Sequence, residues 1–373
     1  MSKVSELIKK LCPNGVKFYQ IKDIAKVTIG EFVHKNKQSD DSSYPVYNGG
    51  TSNTGFYDEF NNDGHKVIIS ARGANAGFIN RVEGKYWAGN SCYTININDE
   101  SQLNWNYLYQ YLKNNQTILL GVQQTGSIPA ISKKQVEEFK IAIPPLEVQK
   151  EIVRILDKFG ELEAELEAEL EARKSQYEFW RGKLLNEDYE TKYLPELSTN
   201  LDNKRKPVTK SNRESGVYPY YGASGIVDYV SGYIFDDELL LVSEDGANLK
   251  ARSTPIAFSS SGKVWINNHA HVLKFNSMIT QKYVEHYLNM IDISEYITGA
   301  AQPKLNQENL NKIRINIPSS IEEQEKIVIA LERFDRLIND ISVGLPAEIE
   351  LRRKQYEYYR DKLLSFENFH ELK

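Results

Sequence analysis

Residues 172–185 read ARKSQYEFWRGKLL, and residues 351–364 read LRRKQYEYYRDKLL. Eight of the fourteen aligned positions are identical. Self-similarity of this kind marks an internal repeat rather than a bias in composition. The chain is therefore predicted to contain two copies of one structural unit.

Weaker matches upstream of both stretches keep the same order in each half. The tetrapeptide YPVY at 44–47 returns as YPYY at 218–221, and Gly-Ala-Asn at 73–75 returns at 246–248. Further downstream, Ile-Pro at 143–144 returns at 317–318, and each pair precedes a long helical pattern. Each half is therefore predicted to be a globular domain followed by a helix.

The composition allows two cores and does not exclude DNA binding. The chain has 373 residues, 40% of them apolar, and a formal net charge of -5. Affinity for DNA depends on the basic side chains that face phosphates rather than on the net charge. No apolar run approaches the roughly eighteen residues of a membrane span, so we expect a cytoplasmic protein. Cys12 and Cys92 are expected to be reduced and structural.

The segment 146–185 has apolar residues at alternating steps of three and four, which predicts a helix with one packing stripe. The second copy continues this stripe from Ile327 to Leu363. Forty helical residues span about 60 Å, more than a domain of this size needs for its own core. We predict a pseudo-twofold arrangement in which two long helices pair as an antiparallel coiled coil. Two separate domains with capping helices are the alternative.

Within the first helix, residues 162–172 read LEAELEAELEA, a four-residue repeat of strong helix formers. One unit lengthens the helix by about 6 Å and rotates the next part of the chain by roughly 40°, an angle close to the turn per base pair of B-DNA. We interpret the repeat as a ruler between two DNA-reading domains, with a solvated acidic helix face as the alternative. Gly344 and Pro346 predict a break in the second helix.

Each half has short strand-like runs, Gly-rich or Asn-rich turns and a helix, which favours an α+β fold. The predicted strands are 67–70, 93–97, 239–243 and 271–275, and the predicted helices are 105–114 and 280–290. The globular domains are placed at 1–145 and 188–318, with helical spacers at 146–187 and 319–373. The domains differ most in the loops 71–77 and 244–250, which indicates one architecture with different targets.

Polar side chains in these and neighbouring loops suit the reading of base edges. Arg prefers guanine, Asn and Gln prefer adenine, and acidic groups accept a hydrogen bond from cytosine. The candidates for base contacts are Arg72, Asn75, Gln123, Gln124, Asn248, Lys250, Gln302 and Lys304. The candidates for phosphate contacts are Lys35, Lys37, Lys204 and Arg205. An ordinary solvated surface role is the alternative for each of them.

The candidates for a catalytic site are Asp63, Glu83 and Lys85, whose spacing has the look of some metal-dependent nucleases. The second half has no acid at the matching place, which argues against such a site. His269 and His271 lack a third zinc ligand at a recognisable spacing. No P-loop, nucleophile elbow or dinucleotide-binding glycine pattern is present. The sequence therefore predicts no catalytic, metal or cofactor site in this chain.

The entry to each long helix also repeats: residues 143–153 read IPPLEVQKEIV, and residues 317–328 read IPSSIEEQEKIV. Together with the Leu-Glu-Ala-Glu repeat between two reader-like domains, this doubled motif resembles the specificity subunit of type I restriction-modification systems. The resemblance covers essentially the whole chain. It implies a DNA-binding, non-catalytic subunit whose target recognition domains, at 1–145 and 188–318, read the two halves of an asymmetric site in double-stranded DNA.

The resemblance further implies that two modification subunits and the restriction subunits of the complex bind to this chain. The former would methylate adenine with S-adenosylmethionine, and the latter would use ATP and magnesium to cleave DNA, while this chain would bind no cofactor. The number of four-residue repeats would influence the gap between half-sites. Candidates for partner contacts at the helix ends are Tyr177, Trp180, Tyr356 and Tyr359. A stand-alone metal-dependent nuclease and a helix-mediated adaptor without DNA binding are the alternatives.

Overall fold

A computed structural model describes residues 3–121, 129–299 and 302–367. The chain divides into two compact units: residues 1–166 and 349–373 form unit 1, and residues 167–348 form unit 2. Within the described residues, no helix combines the length and the apolar character needed to cross a membrane.

The first half of the chain folds into alternating short strands and helices and ends in one long helix. Its helices are α1 (Lys3–Leu11), α2 (Ile21–Ile24), α3 (Trp105–Asn114), α4 (Gln116–Gly121), α5 (Lys133–Glu138) and α6 (Leu146–Leu185). Its strands are β1 (Phe18–Gln20), β2 (Ala25–Ile29), β3 (Tyr44–Tyr47), β4 (Gly55–Tyr57), β5 (Lys66–Ser70), β6 (Ile79–Val82), β7 (Trp87–Ala88), β8 (Cys92–Ile97) and β9 (Lys140–Ala142).

The second half repeats this order with small variations. Its helices are α7 (Leu194–Leu197), α8 (Asn248–Ala251), α9 (Met278–Met290), α10 (Gln307–Leu310), α11 (Ile321–Asn339) and α12 (Leu345–Leu364). Its strands are β10 (Glu190–Tyr193), β11 (Ser198–Asn200), β12 (Ser215–Gly222), β13 (Gly225–Val230), β14 (Phe235–Asp236), β15 (Leu239–Ser243), β16 (Ala257–Ser260), β17 (Lys263–Ile266), β18 (Ala270–Phe275) and β19 (Arg314–Ile317).

Unit 1 is built around a four-stranded antiparallel sheet in the order β2-β8-β5-β6. A smaller sheet has the order β4-β3-β7, and β1 pairs with β9. Apolar side chains of the larger sheet, such as Val27, Ile69 and Ile95, face a core that α3 covers with the buried ring of Tyr107. The Tyr107 hydroxyl donates to the Ala142 carbonyl at 2.9 Å, which gives this buried polar group its partner.

Unit 2 has the same plan. Its larger sheet has the order β11-β18-β15-β16, its smaller sheet the order β13-β12-β17-β14, and β10 pairs with β19. Tyr283 of α9 is buried like Tyr107, and its hydroxyl donates to the Asn316 carbonyl at 3.0 Å. The prediction of two α+β domains from a duplicated sequence is therefore confirmed, and the four predicted strands are found with their ends within one residue.

The long helix α6 runs through both units, since residues up to 166 belong to unit 1 and those from 167 belong to unit 2. In unit 1, the ring of Phe159 stacks on Tyr359 at 5.5 Å and contacts Tyr356 at 6.2 Å. One turn further along α6, Glu163 accepts a hydrogen bond from Arg353. From Phe159 to Glu163 the residue numbers rise along α6, while those of their partners fall from Tyr359 to Arg353 along α12. These helices therefore pair antiparallel, as the sequence predicts.

The predicted break in the second helix is confirmed: α11 ends at Asn339 and α12 begins at Leu345. Gly344 is required here because a Cβ atom would lie 2.6 Å from the carbonyl oxygen of Asp340 and 2.7 Å from those of Arg336 and Leu337. The break separates α11, which packs in the core of unit 2, from α12, whose later residues pack in unit 1.

Candidate nucleic-acid interface

The loop 71–77 of unit 1 follows β5 and is fixed by main-chain hydrogen bonds on both sides. The Ala71 N–H donates to the Ser91 carbonyl at 2.8 Å, and the Ala71 carbonyl accepts from the Ile131 N–H at 3.0 Å. Bonds to two different segments hold the start of the loop without using its side chains. The next exposed polar side chains in the loop are Arg72 and Asn75.

The loop 244–250 of unit 2 follows β15 and has the same frame. The Glu244 N–H donates to the His269 carbonyl at 2.9 Å, and the Glu244 carbonyl accepts from the Leu305 N–H at 2.7 Å. The Gly246 N–H donates to the Pro303 carbonyl at 3.1 Å, as Gly73 does to Pro129 at 2.9 Å in unit 1. The two units therefore present different side chains from equivalent backbone positions.

A network of charged side chains supports the loop of unit 2. Arg205 Nη1 donates to Glu244 Oε2 at 2.6 Å, and Arg205 Nη2 lies 3.3 Å from Asp202 Oδ2. Lys304 Nζ lies 3.1 Å from Glu244 Oε1, and His271 Nδ1 lies 2.6 Å from Asp202 Oδ2. His271 is only 1% exposed and Arg205 13%. These ion pairs join the segment before β12, the loop after β15 and the segment before α10.

The carboxyl groups of this network have lowered pKa values. Burial acts to raise the pKa of Asp202, but the hydrogen bond and charge of His271 outweigh it and lower this pKa. Burial likewise acts to raise the pKa of Glu244, and the hydrogen bond from Arg205, the charge of His271 and the bond from Lys304 outweigh it. Both groups are therefore ionised near neutral pH.

Among the described residues, Asp202, Glu244 and His271 form the one cluster close enough to suggest a metal site, with ligand atoms within 4.8 Å of one another. Both ring nitrogens of His271 already face acceptors, since Nε2 lies 2.7 Å from the Leu305 carbonyl oxygen. The carboxylates are neutralised by Arg205 and neighbouring cations. The cluster is better described as an ion-pair network that fixes the loop.

Unit 1 supports its loop without charge. Tyr93 takes the place of His271, and its hydroxyl donates to the Ile131 carbonyl at 3.1 Å, where His271 contacts Leu305. Burial raises the pKa of Tyr93, so this group stays neutral. The residue at the position of Glu244 is Ala71, which carries no charge.

Most of the sequence-predicted DNA contacts lie on the surface, but Arg205 and Asn248 are held by other partners, and the exposed Lys304 pairs with Glu244. Arg205 is held within the network, and the Asn248 amide donates to the Thr254 carbonyl at 3.0 Å while its oxygen accepts from the Thr254 N–H at 3.1 Å. Gln123 and Gln124 lie outside the described residues. The candidates that the structure places in exposed positions are Lys35, Lys37, Arg72, Asn75, Lys204, Lys250, Gln302 and Lys304.

Sequence reasoning missed the pair formed by Asp245 and His269. His269 Nδ1 lies 2.8 and 3.0 Å from the two carboxylate oxygens of Asp245. Both side chains are partly exposed, and Asp245 occupies the backbone position that Arg72 occupies in unit 1. The alignment of the two loops places Asp245 opposite Arg72, and this opposite charge is the signal in the sequence that could have singled out Asp245.

The aromatic residues proposed for partner contacts divide into inward and outward groups. Tyr177 is buried in the core of unit 2. Tyr356 packs against the core of unit 1, and its hydroxyl donates to Gln110 at 2.9 Å. Trp180 is partly exposed and Tyr359 exposed. Tyr177 and Tyr356 thus serve the cores of their own units.

The most exposed aromatic rings of the repeat stand at another pair of aligned positions. Phe179 is 64% exposed and Tyr358 60% exposed. Phe179 packs edge-on against Trp180 at 5.4 Å, and Tyr358 packs edge-on against Tyr359 at 5.3 Å. The 14-residue repeat therefore builds the same edge-on aromatic pair twice, with the rings of Phe179 and Tyr358 facing outward. The sequence pattern did not reveal these two rings because both residues lie off the packing stripe.

The residues considered for a nuclease site have separate local roles. Asp63 is exposed and accepts a hydrogen bond from the Gly64 N–H at 2.7 Å. Glu83 is exposed, and Lys85 Nζ lies over the ring of Phe60 at 4.4 Å. These contacts are those of surface turns and give no support to a nuclease.

Comparisons with known proteins agree with the duplicated architecture. The family model described as type I restriction modification DNA specificity domain matches twice, over residues 13–172 and 186–351. A protein of Haemophilus influenzae named as a type I restriction enzyme specificity subunit is 37% identical over 204 residues, which are 53% of this chain and 52% of that protein. A type I specificity subunit of Mycoplasma pneumoniae is 32% identical over 248 residues, which are 61% of this chain and 97% of that protein.

The fold has a counterpart among solved structures. The S subunit of a type I restriction-modification system from M. genitalium matches with a TM-score of 0.60 at 17% identity, covering 96% of this chain and 97% of that chain. At this identity the match shows a shared fold.

Proposed function

This chain belongs to the family of type I restriction-modification DNA specificity subunits, and we propose that it reads a two-part site in double-stranded DNA, one half-site with each unit. The observation that carries the proposal is the shared frame of the loops after β5 and β15. Equivalent backbone positions hold Arg72 in unit 1 and Asp245 in unit 2. Base edges are distinguished by such polar side chains, so one frame with two sets of side chains suits two different half-sites.

Exposed lysines in each unit are suited to phosphate contacts. Lys35 and Lys37 lie in a short helical turn before β3, and Lys204 follows β11. Phosphate contacts position a protein on DNA without carrying sequence information. The lysines would therefore supply affinity, while the loops after β5 and β15 supply specificity.

The proposal includes partner subunits, which bind at the repeated helix ends. Two modification subunits would methylate adenine with S-adenosylmethionine, and restriction subunits would cleave DNA with ATP and magnesium; this chain contributes recognition and no catalytic group. The exposed rings of Phe179 and Tyr358, which stand at aligned positions of the repeat, support docking at two places. Exposed aromatic side chains are frequent anchors of protein interfaces.

The methylation pattern of cells that carry the modification subunits, with and without this chain, tests the proposal. We expect a split motif with a methylated adenine in each half-site that disappears when this chain is removed. Exchange of residues 1–145 for the matching region of another specificity subunit should change one half-site only. A change in both half-sites, or the absence of any motif, would contradict recognition by two independent units.

Direct binding of the chain, together with its modification subunits, to duplex DNA provides a second test. The logarithm of the binding constant should fall with the logarithm of the salt concentration by about 0.9 per phosphate contact. A helix-mediated adaptor that does not bind DNA would show no such dependence. Cleavage by this chain alone with magnesium would instead favour the nuclease alternative.

A further inference from the structure

The two units place side chains of opposite charge at one backbone position. Arg72 forms an isolated antiparallel bridge with Ala130, and Asp245 forms the equivalent bridge with Lys304. Each is followed by a glycine in the left-handed region, with φ of +92° in unit 1 and +108° in unit 2. Because the hydrogen bonds on either side also correspond, Arg72 and Asp245 leave equivalent points of the backbone.

A carboxylate on a DNA-reading loop weakens binding through repulsion by the phosphates unless it makes a specific favourable contact. Asp245 lies in a loop that also carries the exposed Lys250, and His269 Nδ1 holds both of its oxygens. A carboxylate has about four lone-pair sites, so the contact with His269 orients Asp245 and leaves acceptors open. The base-edge donor that an acidic group accepts from in the major groove is the N4 amino group of cytosine.

The structure fixes the Asp245 main chain before any ligand arrives. The preceding residue, Glu244, is held by Arg205 at 2.6 Å and Lys304 at 3.1 Å. Its main chain bonds to His269 and Leu305 in two other segments, and the Gly246 N–H after Asp245 bonds to Pro303, in the same segment as Leu305. A contact group that is already in place loses little conformational entropy on binding. Asp245 therefore has the rigid support that a base-reading residue requires.

We propose that Arg72 and Asp245 are the matched specificity-determining residues of the two units. Arg72 donates to a guanine of the first half-site, and Asp245 accepts from a cytosine of the second. This inference rests on the proposed function and adds to it the residue and the base read at one position of each half-site. Arg205, Glu244 and His271 act through Asp245 as positioning residues.

The test is selection from a duplex library with both half-sites randomised, using the full chain with its modification subunits. Asp245→Asn should lower the preference for cytosine at one base pair of the second half-site by about 5- to 150-fold and favour adenine instead. The first half-site should stay unchanged. The matched control is Glu238→Gln, which removes one negative charge just before β15, whereas Asp245 lies just after it. This variant should select the same two half-sites as the wild type.

Two further variants complete the test. Asp245→Glu keeps the carboxylate acceptor and should retain cytosine as the preferred base. If Asp245→Asn does not fold, a loss of the cytosine preference in Asp245→Glu would count against the inference. Arg72→Gln should shift one base pair of the first half-site from guanine towards adenine, while Lys66→Gln at the far end of β5 should not.

Three outcomes would overturn the inference. A uniform loss of affinity in Asp245→Asn, with every base preference kept, would show a structural role. A change in the half-site of the other unit would show that the residues are assigned to the wrong half-sites. If the wild type selects a split motif and these variants select the same one, only this inference fails; if the wild type selects none, the proposed function fails as well.

Discussion

Replacing Arg205 by Met separates the role that the sequence predicts for this residue from the role that the structure gives it. The sequence predicts a phosphate contact. In the structure, Arg205 donates to Glu244 at 2.6 Å and to the Ala270 carbonyl at 2.8 Å, and it lies 3.3 Å from Asp202. Met keeps much of the side-chain volume but removes the charge and all five donors.

The expected loss of stability follows from the partners that remain. Removing one member of a buried ion pair costs about 3–5 kcal/mol, because the other charge stays buried. Here Lys304 still neutralises Glu244, and His271 still contacts Asp202. We therefore expect a loss of about 2–4 kcal/mol in unit 2. The exposed pair of Lys274 with Asp237 is the matched control, and Lys274→Met should cost at most about 1 kcal/mol.

Hydrogen-exchange mass spectrometry can localise the effect to one unit. Amides of β15 should exchange roughly 30- to 700-fold faster in Arg205→Met, while those of β5 in unit 1 serve as an internal control. In DNA binding, the slope of log affinity against log salt should stay unchanged, because Arg205 does not contact phosphate. A slope reduced by about 0.9, with exchange of β15 like the wild type, would refute the positioning role.

Acidification should destabilise unit 2 below pH values of about 4, the ordinary carboxyl pKa. The ionised carboxylates of Asp202 and Glu244 contribute their full stabilisation above that pH, and this stabilisation is lost as the pH falls through their lowered pKa values in the folded state. Urea unfolding between pH 3 and 7 measures this loss. Gly344→Ala should cost about 1–3 kcal/mol in the same assay, since its Cβ meets carbonyl oxygens, whereas Gly182→Ala meets nothing and should be neutral or stabilising. Deleting Leu166–Glu169 should change the gap in the methylation motif and leave both half-sites intact, and an altered half-site would contradict the ruler. Phe179→Ser and Tyr358→Ser should each weaken binding of one modification subunit without lowering the melting temperature, as measured by titration and calorimetry.

The elements of the fold could be predicted because periodicity and repetition agree. The strand 239–243 and the helix 105–114 have the predicted bounds, and the break at Gly344 arises from a residue pair that no helix interior accommodates well. Each prediction depends on neighbours along the chain. The second copy of the sequence supports the same assignments as the first.

The roles of individual side chains could not be predicted in the same way. Arg205 and Lys204 are adjacent in sequence, yet Arg205 is held by the carboxylates of Asp202 and of the distant Glu244, whereas Lys204 is exposed. Tyr177 is predicted from the sequence as a partner contact, yet it packs beside Phe334 of α11 in the core of unit 2, while Phe179, two residues further along α6, is exposed. Long-range packing, which spacing does not encode, makes these distinctions.

The division of unit 1 between two distant segments affects how the protein is made. Residues 349–364 are translated after the whole of unit 2, and they bring Leu364 into the core of unit 1. A ribosome-bound chain can therefore complete the later unit while the earlier one still lacks a core helix. Unit 1 can bury its full core only after residues 349–364 leave the ribosome, whereas every segment of unit 2 has left it before that point.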